Sequence, residues 1–330
     1  MRVLINSEIH RSAWEDLLKT SNYVTPFQTL DFYRFYNSVP GSSAIAFGVE
    51  RSDILLALAV VTLQKEKGIK AYFSRRAIIY GGPLMVEGEG EALGLLLETI
   101  NGFLKNKTIY METRNFCDYS FYKDLFAEYG WSYQPYLNYR VDCRSCETAW
   151  SRLNDNRRRQ IKKALRNGTT VREASSLAEV RQFYRILHEL YSRKIKKPLP
   201  EIGFFESFYS SSVGKYLLVF FNDKVIGGIM CPILPGKSIF EFYICGLDHE
   251  YREASPSVMA TYSAIEYGCN NGLDYFDFMG AGKPDENYGV RKFKERFGGQ
   301  LVEHGRFIKI NNIFLYRLGK FSISLLSRLK

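Results

Sequence analysis

Apolar residues fall in short blocks along this chain, and the blocks come in the same order twice. In the first half, residues 44–49 and 54–63 read as strands joined by a turn at Arg51-Ser52-Asp53. Residues 71–80 read as a third strand ending at Gly81-Gly82-Pro83, and 108–112 as a fourth. Between these two, Leu93, Leu96, Leu97 and Ile100 recur at three- and four-residue spacing, which predicts a helix over 91–104. In the second half, residues 216–221 and 225–234 are strands around the turn Asn222-Asp223-Lys224, followed by a strand at 238–245. Ser255 and Pro256 then open a helix as N-cap and first helical residue. Val258, Met259, Tyr262, Ile265 and Cys269 lie on its apolar face, Gly272 stands past its end, and 275–278 is the closing strand. Helical stretches precede each set, at 13–18 and 32–36 in the first half and at 150–165 and 177–193 in the second.

Hairpin, third strand, helix, strand: the repeated order predicts an α/β (α+β) fold of two tandem domains, each a mixed β-sheet flanked by helices. A length of 330 residues suits two cores better than one. The boundary is expected near residues 142–148, giving domains 1–145 and 146–330. With 46% hydrophobic and 15% aromatic residues the chain has ample core material, which argues against disorder. No apolar run reaches the ~20 residues of a membrane span, and residues 1–18 lack a signal-peptide core, so a cytoplasmic protein is expected.

Charge changes the picture. The net charge is +10, and part of the surplus is concentrated. Arg157, Arg158, Arg159, Lys162, Lys163 and Arg166 form one run; Arg193, Lys194, Lys196 and Lys197 form another, flanked by Pro198 and Pro200. Such runs suit phosphate-bearing partners. The stretch 312–330 places Phe314, Leu318, Phe321, Leu325 and Leu329 near helical spacing among Arg317, Lys320, Arg328 and Lys330, a pattern for peripheral contact with an anionic membrane. Cys143-x-x-Cys146 is the one cysteine pair with metal spacing; no second pair follows it, so it reads as a turn and no metal is expected.

Several stretches resemble the Fem family within the GNAT superfamily. They are Phe27-Gln28-Thr29 with Phe32 and Tyr33, the turn Gly81-Gly82-Pro83, and the run Arg157 to Gly168 containing Ile161-Lys162-Lys163-Ala164. Near the end come Asp277-Phe278-Met279-Gly280 and Phe293-Lys294-Glu295-Arg296-Phe297-Gly298-Gly299. GNAT enzymes bind the coenzyme A diphosphate on a glycine-rich turn before a helix. Here that turn reads Tyr251-Arg252-Glu253-Ala254-Ser255-Pro256-Ser257, with the Arg in place and both glycines missing. The resemblance implies transfer of an aminoacyl group from aminoacyl-tRNA, as co-substrate and without a resident cofactor, to an amine on a UDP-linked or lipid-linked muropeptide. It implies that Lys294, beside Phe293, faces the developing oxyanion or a donor phosphate. Asp277 and Glu241 are candidate bases, and Tyr243 lies on the strand expected to meet the acyl carbonyl. Arg252, Phe293, Lys194, Lys196 and Lys197 are, with Tyr243, substrate-binding candidates; Arg157, Arg158 and Lys162 are candidates for tRNA or phosphate. No Ser/His/Asp or Cys/His set stands out, so direct attack by the amine is expected rather than an acyl-enzyme. Two alternatives stay open: an acyl-CoA-dependent N-acyltransferase acting on an amino sugar or lipid-linked glycan, and a non-catalytic RNA-binding protein.

Overall fold

The computed structural model describes residues 1–66, 68, 70–286 and 288–328, with Lys70 and residues 321–328 described through their backbone. The chain divides into two compact units, one of residues 1–135 and 304–330, the other of residues 136–303. The expected boundary after residue 145 is therefore moved. Residues 136–145 contribute a strand to the second unit, and the chain returns to the first unit after residue 303.

In the first unit the sheet runs in the order β1 (Arg2–Ile5), β2 (Ser43–Arg51), β3 (Ile54–Gln64), β4 (Arg76–Gly81), β6 (Tyr110–Asn115), β16 (Arg306–Ile310) and β7 (Ser132–Gln134), with β5 (Leu84–Met85) on β3. Ser52 and Asp53 take positive φ at the β2–β3 turn, as a tight hairpin requires. The helix Gly90–Leu104 crosses from β4 to its parallel neighbour β6 and buries Leu93, Leu96, Leu97 and Ile100 completely. Residues 71–75, expected as the start of a strand, belong to the helix Lys70–Ser74 and its exit; β4 begins at Arg76. Two of the Fem-like stretches meet here. The Gln28 amide donates to Gly82 O at 2.9 Å, and the Tyr119 hydroxyl donates to Pro83 O at 2.7 Å. Gly82 has φ +81°, and a Cβ on it would press on the Tyr119 hydroxyl at 2.6 Å, so the turn needs glycine twice over.

In the second unit the order is β15 (Gln300–Glu303), β8 (Leu137–Asp142), β14 (Tyr275–Asp277), β12 (Ser238–Phe240), β11 (Lys224–Leu234), β10 (Gly214–Phe221) and β9 (Thr170–Glu173), with β13 (Tyr243–Gly246) on β11. Asn222 and Asp223, both at positive φ, close the β10–β11 hairpin. The helix Pro256–Asn270 crosses from β13 to β14, which is parallel to β12. Hairpin, third strand, crossover helix and parallel fourth strand thus recur in both units. Where one helix was expected over 150–165 there are two, Cys146–Arg152 and Asp155–Arg166.

Candidate functional site

The strand expected over 238–245 is broken at Glu241 and Phe242, and the break creates the site. β12 pairs with β14 through Phe240, opposite Asp277, and the Glu241 amide still donates to Asp277 O at 2.9 Å. Phe242 then donates to Met230 O instead. From there β13 pairs with β11 on one side and with no strand on the other among the described residues. The two parallel strands part, and Tyr243–Gly246 follows β11 alone among the described strands.

Past the parting, Met279 and Gly280 take φ +55° and +131°, so Phe278 and Gly280 turn backbone carbonyls away from any ladder. Lys294, from the helix Gly289–Glu295, collects them. Its Nζ donates to Phe278 O at 2.7 Å and Gly280 O at 2.9 Å, and lies 2.9 Å from Glu241 Oε1. An ammonium has three hydrogens, and here each has an acceptor. Lys294 is only 8% exposed. In this geometry its charge is spent on Glu241 and the loop, not presented to an incoming oxyanion. Asp277 is equally engaged: it accepts from Asn138 Nδ2 at 2.7 Å, Arg140 Nε at 2.9 Å and the Met279 amide at 2.8 Å. A carboxylate so saturated holds a loop and is poorly placed to act as a base. Glu241 differs. Its Oε2 is buried and without a hydrogen-bond partner, and burial raises its carboxyl above the usual range, with Asp277 adding and Lys294 opposing.

The end of β13 lies at the first turn of the helix Pro256–Asn270. Ser255 is the N-cap, but at φ +46° its side chain caps nothing in that turn. Asp248 does so instead: its carboxylate accepts from the Ser257 amide at 3.1 Å and from the Ser257 hydroxyl. Val258 and Met259 both donate to Ser255 O at 3.0 Å, and Pro256 has no N–H. Each N–H of this first turn therefore has an acceptor within the chain. A Cβ on Gly246 would sit 2.6 Å from the Ser257 nitrogen, so β13 and the helix touch backbone to backbone.

The remaining candidates divide. Arg157, expected as a phosphate contact, is 4% exposed. Its guanidinium lies over the Phe293 and Phe297 rings at 4.4 and 5.0 Å, donates to Gln160 and to Phe293 O, and has an unpartnered Nε. Burial lowers it to about 10, with Arg296 adding to the effect. The sequence did carry this signal: Arg157, Ile161 and Ala164 share one helical face, and the structure buries all three. Arg158 bonds Ser151 O and Asp155, while Lys162 is exposed beside the Trp150 ring. Arg252 is exposed on the turn before Ser255. Lys194, Lys196 and Lys197 are all exposed, on a single π-turn over Tyr191–Ile195 and its exit. Tyr191, which opens that turn, lies 6.3 Å from the Tyr243 ring, so the lysine segment begins beside β13. Cys143 faces Val141 O and Ile265 O, Cys146 is exposed, and no group of three or more His, Cys, Asp or Glu could hold a metal among the described residues. Asn138 and Arg140 were not legible beforehand, because each acts on Asp277, far away in sequence; Asp248, nine residues from Ser257, was hidden because Ser255 looked like the cap.

Two sheets of this pattern, with a parting between the parallel strands of the second, define the tandem GNAT fold. Residues 152–294 match the acetyltransferase (GNAT) domain family. In fold the chain is similar to FemX (TM-score 0.73, 16% identity, covering 96% of this chain and 99% of FemX). It is also similar to the C-terminal domain of a putative lysylphosphatidylglycerol synthetase from Agrobacterium fabrum (TM-score 0.62, 12% identity, 96% of each chain). A tandem GNAT protein from the clavulanic acid biosynthesis pathway aligns at TM-score 0.55 and 9% identity, over 94% of this chain and 99% of its own. No curated protein matches the chain in sequence. The chain is thus a Fem-like tandem GNAT protein in its fold.

Proposed function

We propose that this protein is an N-acyltransferase that moves an aminoacyl group from aminoacyl-tRNA to an amine of a peptidoglycan precursor, UDP-linked or lipid-linked. One observation carries the choice of donor. A diphosphate docks on a helix N-terminus through free backbone N–H groups, and in the helix Pro256–Asn270 those groups are absent or already bonded, with the Asp248 carboxylate where an anion would come. An aminoacyl ester makes no such demand.

The neutral amine attacks the ester carbonyl, the new C–N bond forms, and collapse of the tetrahedral oxyanion breaks the bond to the ribose oxygen. The amine's proton passes to that leaving oxygen, so atoms and charge balance without a covalent enzyme intermediate. The side of Tyr243–Gly246 that faces away from β11 is the surface for the acyl group. Lys294 and Asp277 act as positioning residues that fix the Phe278–Gly280 loop beside it. Lys194, Lys196 and Lys197 suit the acceptor's phosphates, and Arg158 and Lys162 suit the tRNA backbone. The test incubates the protein with UDP-linked muropeptide and charged tRNA, and separately with muropeptide and acetyl-CoA, and weighs the products. A mass gain of one aminoacyl residue is expected with charged tRNA. A gain with acetyl-CoA alone overturns the donor, and tight RNA binding with no transfer overturns the enzyme.

A further inference from the structure

We propose that the first unit carries a docking surface for an anionic lipid bilayer, built from two elements far apart in sequence. The helix Lys70–Ser74 packs against the helix Ile313–Arg328. The second helix is anchored on one face: Leu315 is buried and the Tyr316 ring meets Tyr110 at 5.3 Å. Its other face and the short helix together expose large apolar side chains, Tyr72 at 59%, Phe73 at 45%, Ile313 at 52% and Phe314 at 73%. Tyr72 and Phe73 stack edge to face at 5.2 Å, and the Arg75 guanidinium lies 5.0 Å from the Tyr72 ring.

Charge selects the occupant. Residues 65–76 hold five Lys and Arg against the single Glu66, and no Asp or Glu occurs from residue 304 to residue 330. Lys65, Arg317 and Lys320 are exposed. Exposed aromatic side chains on elements rich in cations and nearly free of acids match the headgroup boundary of a membrane with negative lipids. No helix among the described residues is long and apolar enough to cross a membrane, so contact here is in the plane of the surface. The side chains of Phe321 and Leu325 are not described, Leu329 lies outside the described residues, and none of the three is needed for this surface. The proposal does not depend on donor or acceptor, because binding is read without substrate.

The test floats the full chain with neutral phosphatidylcholine vesicles and with vesicles containing roughly a third phosphatidylglycerol, a composition that gives a negative surface potential. Flotation is expected with the anionic vesicles alone. The pair Tyr72→Ser/Phe73→Ser is expected to lower the bound fraction at least ~10-fold, and Arg317→Gln and Lys320→Gln about 5-fold each, from ~1 kcal/mol per basic residue. These side chains are exposed, and unchanged circular dichroism would confirm folding. Absence of flotation, equal flotation with neutral vesicles, or indifference to the Tyr72/Phe73 pair overturns the surface. A dimer in sedimentation that the same pair abolishes, without vesicle binding, assigns the patch to a second copy instead.

Discussion

Lys294 is the residue whose meaning depends most on geometry. With Phe278 O, Gly280 O and Glu241 as acceptors, its removal strips a buried carboxylate of its counter-ion and frees two carbonyls. Breaking a buried pair in this way costs about 3–5 kcal/mol, whereas replacing both partners by apolar groups is often close to neutral. Lys294→Met alone is therefore expected to lose about 3 kcal/mol or more in chemical denaturation. The double variant Lys294→Met/Glu241→Leu should recover most of that loss. Transfer activity measured on the double variant then separates the roles. If Lys294 only positions the loop, activity should follow stability back towards the wild type. Activity that stays lost in a chain of restored stability, while Glu241→Gln alone keeps it, would return Lys294 to the reaction itself.

Strands from opposite ends of the chain are tied by charge. β6 and β16 pair antiparallel, and between them Glu112 bonds Arg114 Nε at 2.9 Å and Arg306 Nη1 at 2.7 Å. Burial pushes the Glu112 carboxyl up, but the two guanidinium groups outweigh it and hold the pKa below the ordinary 4.5. A depressed carboxyl favours the fold above its unfolded value and loses that contribution as pH falls through the folded one. Glu112→Gln should cost about 3 kcal/mol at pH 7. The gap between variant and wild type should narrow steadily below pH ~4.5 in an acid series of denaturant melts; a gap constant with pH would dissociate Glu112 from this role. Element identity was readable where period and turn chemistry agreed, as in the two hairpins at Ser52-Asp53 and Asn222-Asp223 and in the Leu93–Ile100 face. The break at Glu241-Phe242 was not, because nothing in alternating apolar residues distinguishes a continuous strand from one that changes neighbours. The Asp277 and Lys294 stretches were found as motifs, yet their burial follows from Asn138, Arg140 and Glu241, which only the fold brings near.

The sequence order of the two units is not their structural order, and that has a consequence for truncation. β16 inserts between β6 and β7, so the first unit's sheet is complete only once residues 306–310 are made. Phe307 is fully buried there, stacked on the Phe126 ring at 3.8 Å, and the Phe307 amide donates to the Thr113 hydroxyl at 2.9 Å. Losing one such phenylalanine costs about 3–5 kcal/mol, and losing the strand also orphans the facing edges of β6 and β7. A chain ended after Glu303 keeps every strand of the second unit but lacks the first unit's closing strand. It should lose the cooperative unfolding of the first unit and become protease-sensitive within residues 1–135, while 136–303 stays protected. A chain ended after Asn312 keeps β16 and drops the helix Ile313–Arg328, so both units should remain protected and only vesicle binding should fall. Limited proteolysis with mass mapping of the fragments distinguishes the two. Protection of residues 1–135 in the shorter chain would mean that β16 adds little to the sheet it sits in.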